Sequence, residues 1–322
     1  MDHPFRRAGA TLAAGLLLSL GAVPATAQPG GHHQVRAYTL TGDPEGSRFE
    51  GIGVDRAQRT FYVSEVTGGE IHRGRVGRPG TSEWLPAGAD GRTTARGITT
   101  DRAGRVYIAG GPNGIGTDRP DLWVYSASGR LLAALRVGLP DAFLNDVAIG
   151  PDGAAYFTNS NAPQIIRVAR ERGRWRATLW VDARATIEQQ AGFNLGGIVL
   201  APDRRSLVVA QGNVGVLWRF DLSTRAVRRI DTGGADLVNA DGLVRRGREL
   251  LVVRNFSRRL TTLRLGPAAR SAVLLADVPT DPDRVFTTAK VARGRLLLVD
   301  SHFDEPTPEP PYEVVSLRLR RR

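Results

Sequence analysis

Residues 145–160 read NDVAIGPDGAAYFTNS and contain the pattern that decides the fold. A short apolar strand is followed by a turn with Gly150, Asp152 and Gly153, and a second apolar strand follows the turn. Short apolar runs separated by Gly and Asp are typical of antiparallel hairpins. The stretch therefore predicts two neighbouring strands of a sheet.

The pattern recurs along the chain, as EGIGVDRAQRTFYVSE, RGITTDRAGRVYIAGG, GGIVLAPDRRSLVVAQ, DGLVRRGRELLVVRN and, more weakly, FTTAKVARGRLLLVDS. The six copies begin at residues 50, 96, 145, 196, 241 and 286, which are 46, 49, 51, 45 and 45 residues apart. A period near 45 residues with several strands per unit indicates a β-propeller. We expect an all-β, six-bladed β-propeller over residues 35–322, closed by pairing of residues 35–40 with residues 312–319.

Residues 1–27 have the features of a secretory signal peptide. Arg6 and Arg7 precede an apolar stretch over residues 8–23, and the small residues Ala25-Thr26-Ala27 follow it. This arrangement predicts a secreted protein with a cleavable signal, an uncleaved membrane anchor being the alternative. We expect residues 28–34 to be a flexible N-terminus and no membrane span to follow cleavage.

The composition excludes several function classes. The net charge is +12, but the basic residues are spread over turns and strand edges and accompany no nucleic-acid-binding motif, so we expect no specific nucleic-acid partner. Cysteine is absent, which excludes disulfides and thiolate chemistry. No Gly-x-Ser-x-Gly motif is present to support a serine-hydrolase triad. We expect a monomer that acts on, or binds, a small molecule.

The repeat also predicts a functional ring. The first strand of a propeller blade lines the central channel, so the first residue of each copy should lie at one channel mouth. These residues are Glu50, Arg96, Asn145, Gly196, Asp241 and Phe286. Glu50, Asn145 and Asp241 carry the hard oxygen ligands that Ca²⁺ prefers, whereas the few histidines argue against zinc. The sequence therefore predicts a divalent cation site at this mouth.

Other polar residues have less direct assignments. The second strands end at the same mouth, which places Asn159 and His302 on its rim. His302 is either a proton-transfer group near neutral pH or a structural residue. Arg96 is either a fork-shaped donor to a substrate carboxylate or a counter-ion to Glu50. We expect the turn residues Asp55, Asp101, Asp152 and Asp203 to shape hairpins, and the five tryptophans to pack between blades.

These stretches resemble the six-bladed, calcium-dependent propellers of the SMP-30/gluconolactonase/LRE-like family, and more distantly paraoxonases and strictosidine synthase. The resemblance is carried by FEGIGVD around Glu50, LNDVAIGPDGAAYFTNS around Asn145, FNLGGIVLAPDRRSLVVAQ around Asn194 and NADGLV around Asp241. It implies hydrolysis of lactones or related esters at a cation held in the channel mouth.

The resemblance also implies residue roles. Glu50 matches the glutamate ligand of the family, Asn145 an asparagine that binds metal or substrate, and Asp241 a ligand with a catalytic role. The family usually has Asn-Gly where this chain has Gly196-Gly197, and we expect Asn194 or water to replace that amide. The candidates are thus, for catalysis, Asp241 and His302; for substrate binding, Arg96, Asn145 and Asn159; and as metal ligands, Glu50, Asn145, Asn194 and Asp241.

A secreted, calcium-dependent lactonase- or esterase-like hydrolase is the function that the resemblance implies. Two alternatives remain at the level of the sequence, because a propeller fold does not determine function. One is a non-catalytic propeller that binds a ligand or a protein. The other is a different enzyme, such as a lyase or a quinone-dependent oxidoreductase.

Overall fold

A computed structural model of the protein describes residues 36–111 and 119–319. Within these ranges the chain forms 24 strands, grouped into six four-stranded antiparallel sheets. These sheets are the six blades, so the predicted all-β six-bladed propeller is confirmed. The predicted signal peptide and the segment 28–34 lie outside the described residues. No helix in the described ranges is long and apolar enough to cross a membrane.

Each of the first five blades uses four strands that are consecutive in the chain. In blades one to three the strands are β2 (Phe49–Val54), β3 (Thr60–Glu65), β4 (Ile71–Arg75) and β5 (Thr81–Leu85); β6 (Ala95–Thr100), β7 (Val106–Gly110), β8 (Leu122–Tyr125) and β9 (Leu131–Leu135); and β10 (Leu144–Ile149), β11 (Ala155–Asn159), β12 (Gln164–Glu171) and β13 (Arg174–Asp182). In blades four and five they are β14 (Leu195–Leu200), β15 (Ser206–Gln211), β16 (Val216–Asp221) and β17 (Val227–Arg229); and β18 (Ala240–Arg246), β19 (Glu249–Arg254), β20 (Arg259–Leu265) and β21 (Ala272–Pro279). Two three-residue 3-10 turns lie at Ala89–Gly91 and Gly212–Val214.

Blade six is built from both ends of the described chain. It combines β22 (Phe286–Ala292), β23 (Arg295–Asp300) and β24 (Tyr312–Arg318) with β1 (Ala37–Leu40). Strand β1 pairs antiparallel with β24, with Leu40 opposite Tyr312. The predicted closure is therefore confirmed. In this cysteine-free chain, main-chain hydrogen bonds and not a disulfide close the ring.

The hydrophobic core lies between the blades. Six clusters of buried apolar side chains are found, one at each interface between neighbouring blades. The tryptophans take part in this packing: Trp123 is fully buried, and Trp180 contacts the ring of Tyr156 edge-on. Burying apolar surface stabilises such an interface by about 25 cal/mol per Å². The innermost strands contact each other around the ring, which holds their first residues close together.

The turn aspartates shape hairpins, as predicted. The Oδ1 atom of Asp101 accepts hydrogen bonds from the main-chain N–H groups of Ala103 and Arg105. Asp55 and Asp203 accept equivalent bonds in their own turns. Short acidic side chains therefore fix the far ends of the inner strands and do not belong to the channel mouth.

Every innermost strand begins with a β-bulge. The register of each inner hairpin shifts between the first and fourth residues of the strand, for example between Phe49 and Ile52 in blade one. A bulge adds one residue to one strand and turns a side chain away from the regular alternation. The residue after the first apolar position of each strand is thereby turned towards the channel mouth.

Candidate functional site

A cavity of about 440 Å³ lies at the mouth where the innermost strands begin. We call it the mouth pocket. It is lined by Glu50, Val66, Arg96, Phe143, Asn145, Ser160, Phe193, Asn194, Gly196, Gly212, Asn213, Asn239, Ala240, Asp241, Asn255, Phe256 and Phe303. Five of the six predicted ring positions are in this list.

The sixth ring position differs from the prediction. Phe286 is the first residue of its strand and is opposite Asp300, just as Phe49 is opposite Glu65 in blade one. The residue equivalent to Glu50 is therefore Thr287, and assigning Phe286 to the ring was wrong by one residue. The Thr287 hydroxyl donates a hydrogen bond of 2.9 Å to the main-chain oxygen of Glu50.

Hydroxyl groups on two second strands bond in a similar way to the inner strands of the next blades. Thr158 donates to the main-chain oxygen of Gly196 in the next blade at 2.8 Å. Ser64 donates in the same way to the main-chain oxygen of Arg96. These bonds between neighbouring blades fix the main chain at the ring residues.

Glu50 and Arg96 form the charged pair of the pocket. The Nε of Arg96 lies 3.7 Å from Oε2 of Glu50, and both side chains are nearly buried. The Arg96 guanidinium also stacks on the ring of Phe143, 3.9 Å from its centroid. Burial raises the pKa of Glu50 to about 7; Arg96 opposes this rise, and the carboxylate of Asp146 adds to it. A cation in the pocket would favour the ionised form.

Asp241 faces the same pocket from blade five. Its Oδ2 accepts a hydrogen bond of 2.9 Å from Nδ2 of Asn255. Burial, followed by the charge of Glu50, raises the pKa of Asp241 well above its usual value. Two carboxylates that resist ionisation beside each other are the electrostatic condition that a divalent cation relieves.

Asn145 completes the set of oxygen ligands. Within the described chain its side chain has no hydrogen-bond partner, although it is half-buried at the pocket. A Cβ atom built on Gly196 would lie 3.9 Å from Oδ1 of Asn145 and 3.7 Å from Oδ1 of Asp241. The amide and the carboxylate therefore converge on the space beside Gly196, and this donor set fits a hard divalent cation.

Asp146 lies behind this set. Its Oδ1 accepts a bond from the N–H of Val147 at 2.8 Å, and its Oδ2 accepts one from the N–H of Ile198 at 3.1 Å. The side chain is thus occupied in joining blade three to blade four. Its charge still acts on the pocket, because it raises the pKa values of Glu50 and Asp241.

Asn194 lines the pocket, but its amide is already engaged. Its Oδ1 accepts from the N–H of Gln190 at 2.8 Å and from Nε2 of Gln211 at 3.1 Å. Its Nδ2 donates to the main-chain oxygens of Gln190 and Gly192. The residue holds its own loop, and it would have to give up these bonds to act as the predicted ligand.

Asn159 and His302 are not brought to the mouth pocket. Asn159 is buried, and its Oδ1 accepts from the N–H groups of Phe143 and Asn161. His302 is buried against the ring of Tyr312, and its Nδ1 lies 2.7 Å from Oε1 of Glu305. Asn159 ends the second strand β11 and His302 lies two residues beyond the end of β23, but neither is among the side chains that line the cavity.

Four phenylalanines form the apolar wall of the pocket, and the sequence reasoning did not identify them. Phe143 is buried, whereas Phe193 and Phe256 are 61% and 50% exposed. Phe143 and Phe193 contact each other with their centroids 4.9 Å apart, and Phe303 completes the wall. Phe143 and Phe193 lie in loops just before the inner strands β10 and β14, whereas Phe256 and Phe303 lie just after the second strands β19 and β23, so the four share no single sequence signal. The arrangement as a whole can hold a small molecule that has an apolar body and a polar head.

No protein-family model and no curated protein matches the chain. Among solved structures it is similar to a gluconolactonase from Xanthomonas campestris, with 17% identity, a TM-score of 0.58, and coverage of 90% of this chain and 99% of that chain. It is also similar to regucalcin, a calcium-binding protein from Agrobacterium tumefaciens, with 16% identity, a TM-score of 0.56, and coverage of 85% and 95%.

A third similar structure is named as a lyase. Virginiamycin B lyase from Staphylococcus aureus is 12% identical, has a TM-score of 0.58, and is covered over 98% of its length by 88% of this chain. At these identities the likeness shows a shared six-bladed propeller fold. Function has to be argued from the mouth pocket itself.

Proposed function

We propose that the protein is a secreted, calcium-dependent hydrolase of lactones or related esters and that the mouth pocket is its active site. One observation carries the proposal: the side-chain oxygens of Glu50, Asn145 and Asp241 come from three different blades to one cavity. The motif resemblance to the SMP-30/gluconolactonase/LRE-like family and the likeness to a gluconolactonase fold support the same reading.

Glu50, Asn145 and Asp241 would hold the cation, with water completing its shell in place of a side chain at Gly196. A bound divalent cation supplies Lewis-acid stabilisation of the oxyanion that forms during ester hydrolysis. The donor set fits such an ion because two of its carboxylates have raised pKa values and its amide has no partner among the described residues.

The chain's own groups account for the remaining chemistry. Asp241, oriented by Asn255, accepts the proton of the attacking water. The water oxygen bonds to the ester carbon, the bond to the leaving oxygen breaks, and the proton goes to that oxygen. Arg96 is fixed against Phe143 and offers guanidinium N–H groups to a substrate oxygen.

The four phenylalanines narrow the substrate class. Two of their rings are about half exposed or more, which in water is unfavourable unless a ligand covers them. We expect an ester or lactone with an alkyl or aryl body to bind better than a sugar lactone. The phenylalanine wall would hold that body, while the polar side chains of the mouth pocket would hold the carbonyl group.

The test is a hydrolysis assay on aryl esters and on lactones with short and long acyl chains, with CaCl₂ and after chelation. We expect calcium-dependent hydrolysis that is lost in Asp241→Ala and kept in Asp283→Asn, a control at an exposed aspartate outside the pocket. If the protein binds calcium, as a thermal melt would show, but hydrolyses no substrate, the hydrolase proposal is wrong.

A non-catalytic ligand-binding propeller is the second candidate. Gly196 favours it, because the position that points between Asn145 and Asp241 carries no side chain. The same assay separates the two functions. A binding propeller would gain thermal stability from an apolar ester without converting it.

A further inference from the structure

A second group of carboxylates lies between blade one and the segment that leads into it from β1, outside the mouth pocket. Asp43, Glu65 and Glu70 each offer one carboxylate oxygen, and these three atoms lie within 4.8 Å of one another. We call these residues, together with His72, the blade-one cluster. Asp43 follows β1, Glu65 ends β3, and Glu70 immediately precedes β4.

The two glutamates are buried and incompletely bonded. Glu65 is 1% exposed and Glu70 is 7% exposed. Oε1 of Glu65 and Oε2 of Glu70 have no hydrogen-bond partner in the described chain. A buried carboxylate oxygen without a donor is costly, and native proteins rarely tolerate two side by side. The pair therefore requires an explanation.

His72 accounts for one glutamate oxygen and leaves the other available. Its Nε2 lies 3.1 Å from Oε2 of Glu65, and the ring is 3% exposed and packs edge-on against Phe49. An imidazole N–H at Nε2 can donate to this carboxylate oxygen. This bond fixes the Glu65 carboxylate with Oε1 directed elsewhere. Such a partner behind a carboxylate ligand is a common feature of metal sites.

No arginine or lysine of the described residues forms a salt bridge with the cluster. Among the described residues, the ion pair that involves its carboxylates is the one between His72 and Glu65. Arg92 is buried nearby, but its N–H groups donate to the main-chain oxygens of Gly69 and Pro86 and to the Tyr125 hydroxyl. Burial and the charges of Glu65 and Asp43 raise the pKa of Glu70, which fits an uncompensated group of acids.

We propose that the blade-one cluster binds a divalent cation of the calcium class, with Asp43, Glu65 and Glu70 as ligands and His72 as a positioning residue. Three carboxylates and no thiol favour a hard cation. Asp43 is exposed, so the ion has a path from solvent. Because Asp43 lies three residues after β1, the strand that closes the ring, the ion would fasten the closing segment to blade one.

The test uses calcium titration of chelator-treated protein in which Glu50→Gln and Asp241→Asn disable the mouth pocket. We expect this protein to bind one Ca²⁺ per chain and to gain about 5 °C in melting temperature at saturating CaCl₂. Adding Glu65→Gln and Glu70→Gln should abolish both effects. Adding Glu45→Gln, at an exposed glutamate close to Asp43, should leave both unchanged.

Asp43→Asn keeps the test decisive if the double glutamine variant does not fold, because this side chain is exposed. It should weaken Ca²⁺ binding about tenfold or more and leave the melting temperature in chelator unchanged. The proposal is overturned if the mouth-disabled protein binds neither Ca²⁺, Mg²⁺ nor Mn²⁺. It is equally overturned if binding persists in the Asp43→Asn or double glutamine variants with undiminished affinity.

Discussion

The mouth pocket and the blade-one cluster both bring acids together, but they do so in different surroundings. In the mouth pocket the acids come from separate blades and share a 440 Å³ cavity with Arg96 and phenylalanine rings. In the blade-one cluster three acids lie within 4.8 Å of one another, and its glutamates are buried without a salt bridge to arginine or lysine in the described chain. One arrangement has room for a substrate, and the other has room for little more than an ion.

This difference separates two uses of a bound cation. A catalytic site keeps an open position for substrate, whereas a structural site is closed by its ligands. We therefore expect changes in the mouth pocket to alter turnover and calcium affinity, and changes in the blade-one cluster to alter stability.

The largest expected effect is on turnover in Asp241→Asn. The variant should lower kcat/KM by about 10²-fold or more, because a general base is lost. In chelator it should melt no lower than wild type, since the buried carboxylate it removes resists ionisation. Initial rates and a thermal melt in EDTA measure both effects. Wild-type rates in Asp241→Asn would exclude the mouth pocket as the catalytic centre.

The second expected effect is a pH dependence of calcium binding in the mouth pocket. The Glu50 carboxyl, with a pKa of about 7, must lose its proton to bind the ion. Affinity should therefore fall about tenfold or more for each pH unit below 7, because the Asp241 carboxyl, whose pKa is also raised, must lose its proton as well. Calcium titration calorimetry in two buffers of different ionisation enthalpy measures the released proton. A flat affinity from pH 5 to pH 8 would contradict the raised pKa.

Without calcium, a rise in pH is expected to lower the stability of the fold through the same carboxyl group. The folded protein holds the Glu50 proton up to about pH 7, whereas the unfolded chain releases it near 4.5, the ordinary pKa of a glutamate side chain. The folded state therefore binds more protons between these values, and the free energy of unfolding falls as pH rises through this window. Melts in chelator at pH 5 and pH 8, with Glu50→Gln as the control, isolate this contribution.

A third, smaller effect is expected from Gly196→Asn. A Cβ atom there would meet its nearest neighbours at ordinary contact distances, 3.7 Å from Asp241 and 3.9 Å from Asn145, so an amide can join the ligand set without displacing the backbone. We expect calcium to bind about tenfold more tightly, a gain of about 1.4 kcal/mol.

The neighbouring glycine provides the contrast for this variant. A Cβ atom on Gly197 would lie 2.1 Å from the main-chain oxygen of Asp241, so Gly197→Asn should lower the melting temperature instead. Calcium titration of Gly196→Asn measures the affinity, and thermal melts of both variants measure the stability. Equal calcium affinity of Gly196→Asn and wild type would show that the ion does not lie beside residue 196.

The smallest expected effect concerns the phenylalanine wall. Phe193→Ala should raise KM several-fold for a long-chain ester and leave a short-chain ester unchanged, because it removes about 1 kcal/mol of apolar contact. Val273→Ala on the outer strand β21 is a matched control, since Val273 is 64% exposed and lies outside the pocket. Equal losses on both substrates would mean that Phe193 supports the loop and does not contact the acyl chain.

The propeller fold could be predicted from the repeat, because each copy contains the pattern of two strands and the turn between them. Five ring positions followed directly from the repeat starts. The sixth failed because Phe286 is an apolar strand start like Phe49, and the bulge turns the following residue, Thr287, to the ring position. A bulge is set by hydrogen bonding between two strands, so a one-residue offset is not visible in one strand alone.

The two rim candidates, Asn159 and His302, do not line the mouth pocket, and the reason is related. Asn159 ends β11 and His302 lies two residues after β23, but their side chains bond locally, to the N–H of Phe143 and to Glu305. Strand position gives the height of a residue along the blade and not the direction of its side chain. The phenylalanine wall was missed because it comes from loops, whose course no periodic pattern records.

The sequence by itself determined the number of blades, the hairpin turns, the closing strand and the blades that carry Glu50, Asn145 and Asp241. These features depend on local periodicity, which a chain expresses wherever it lies. Only the tertiary structure decided that Asn145 and Asp241 converge beside Gly196 and that Asp43 meets Glu65 and Glu70. Distances between blades, burial and the resulting pKa shifts arise when the ring closes and water is excluded, and no single segment contains that information.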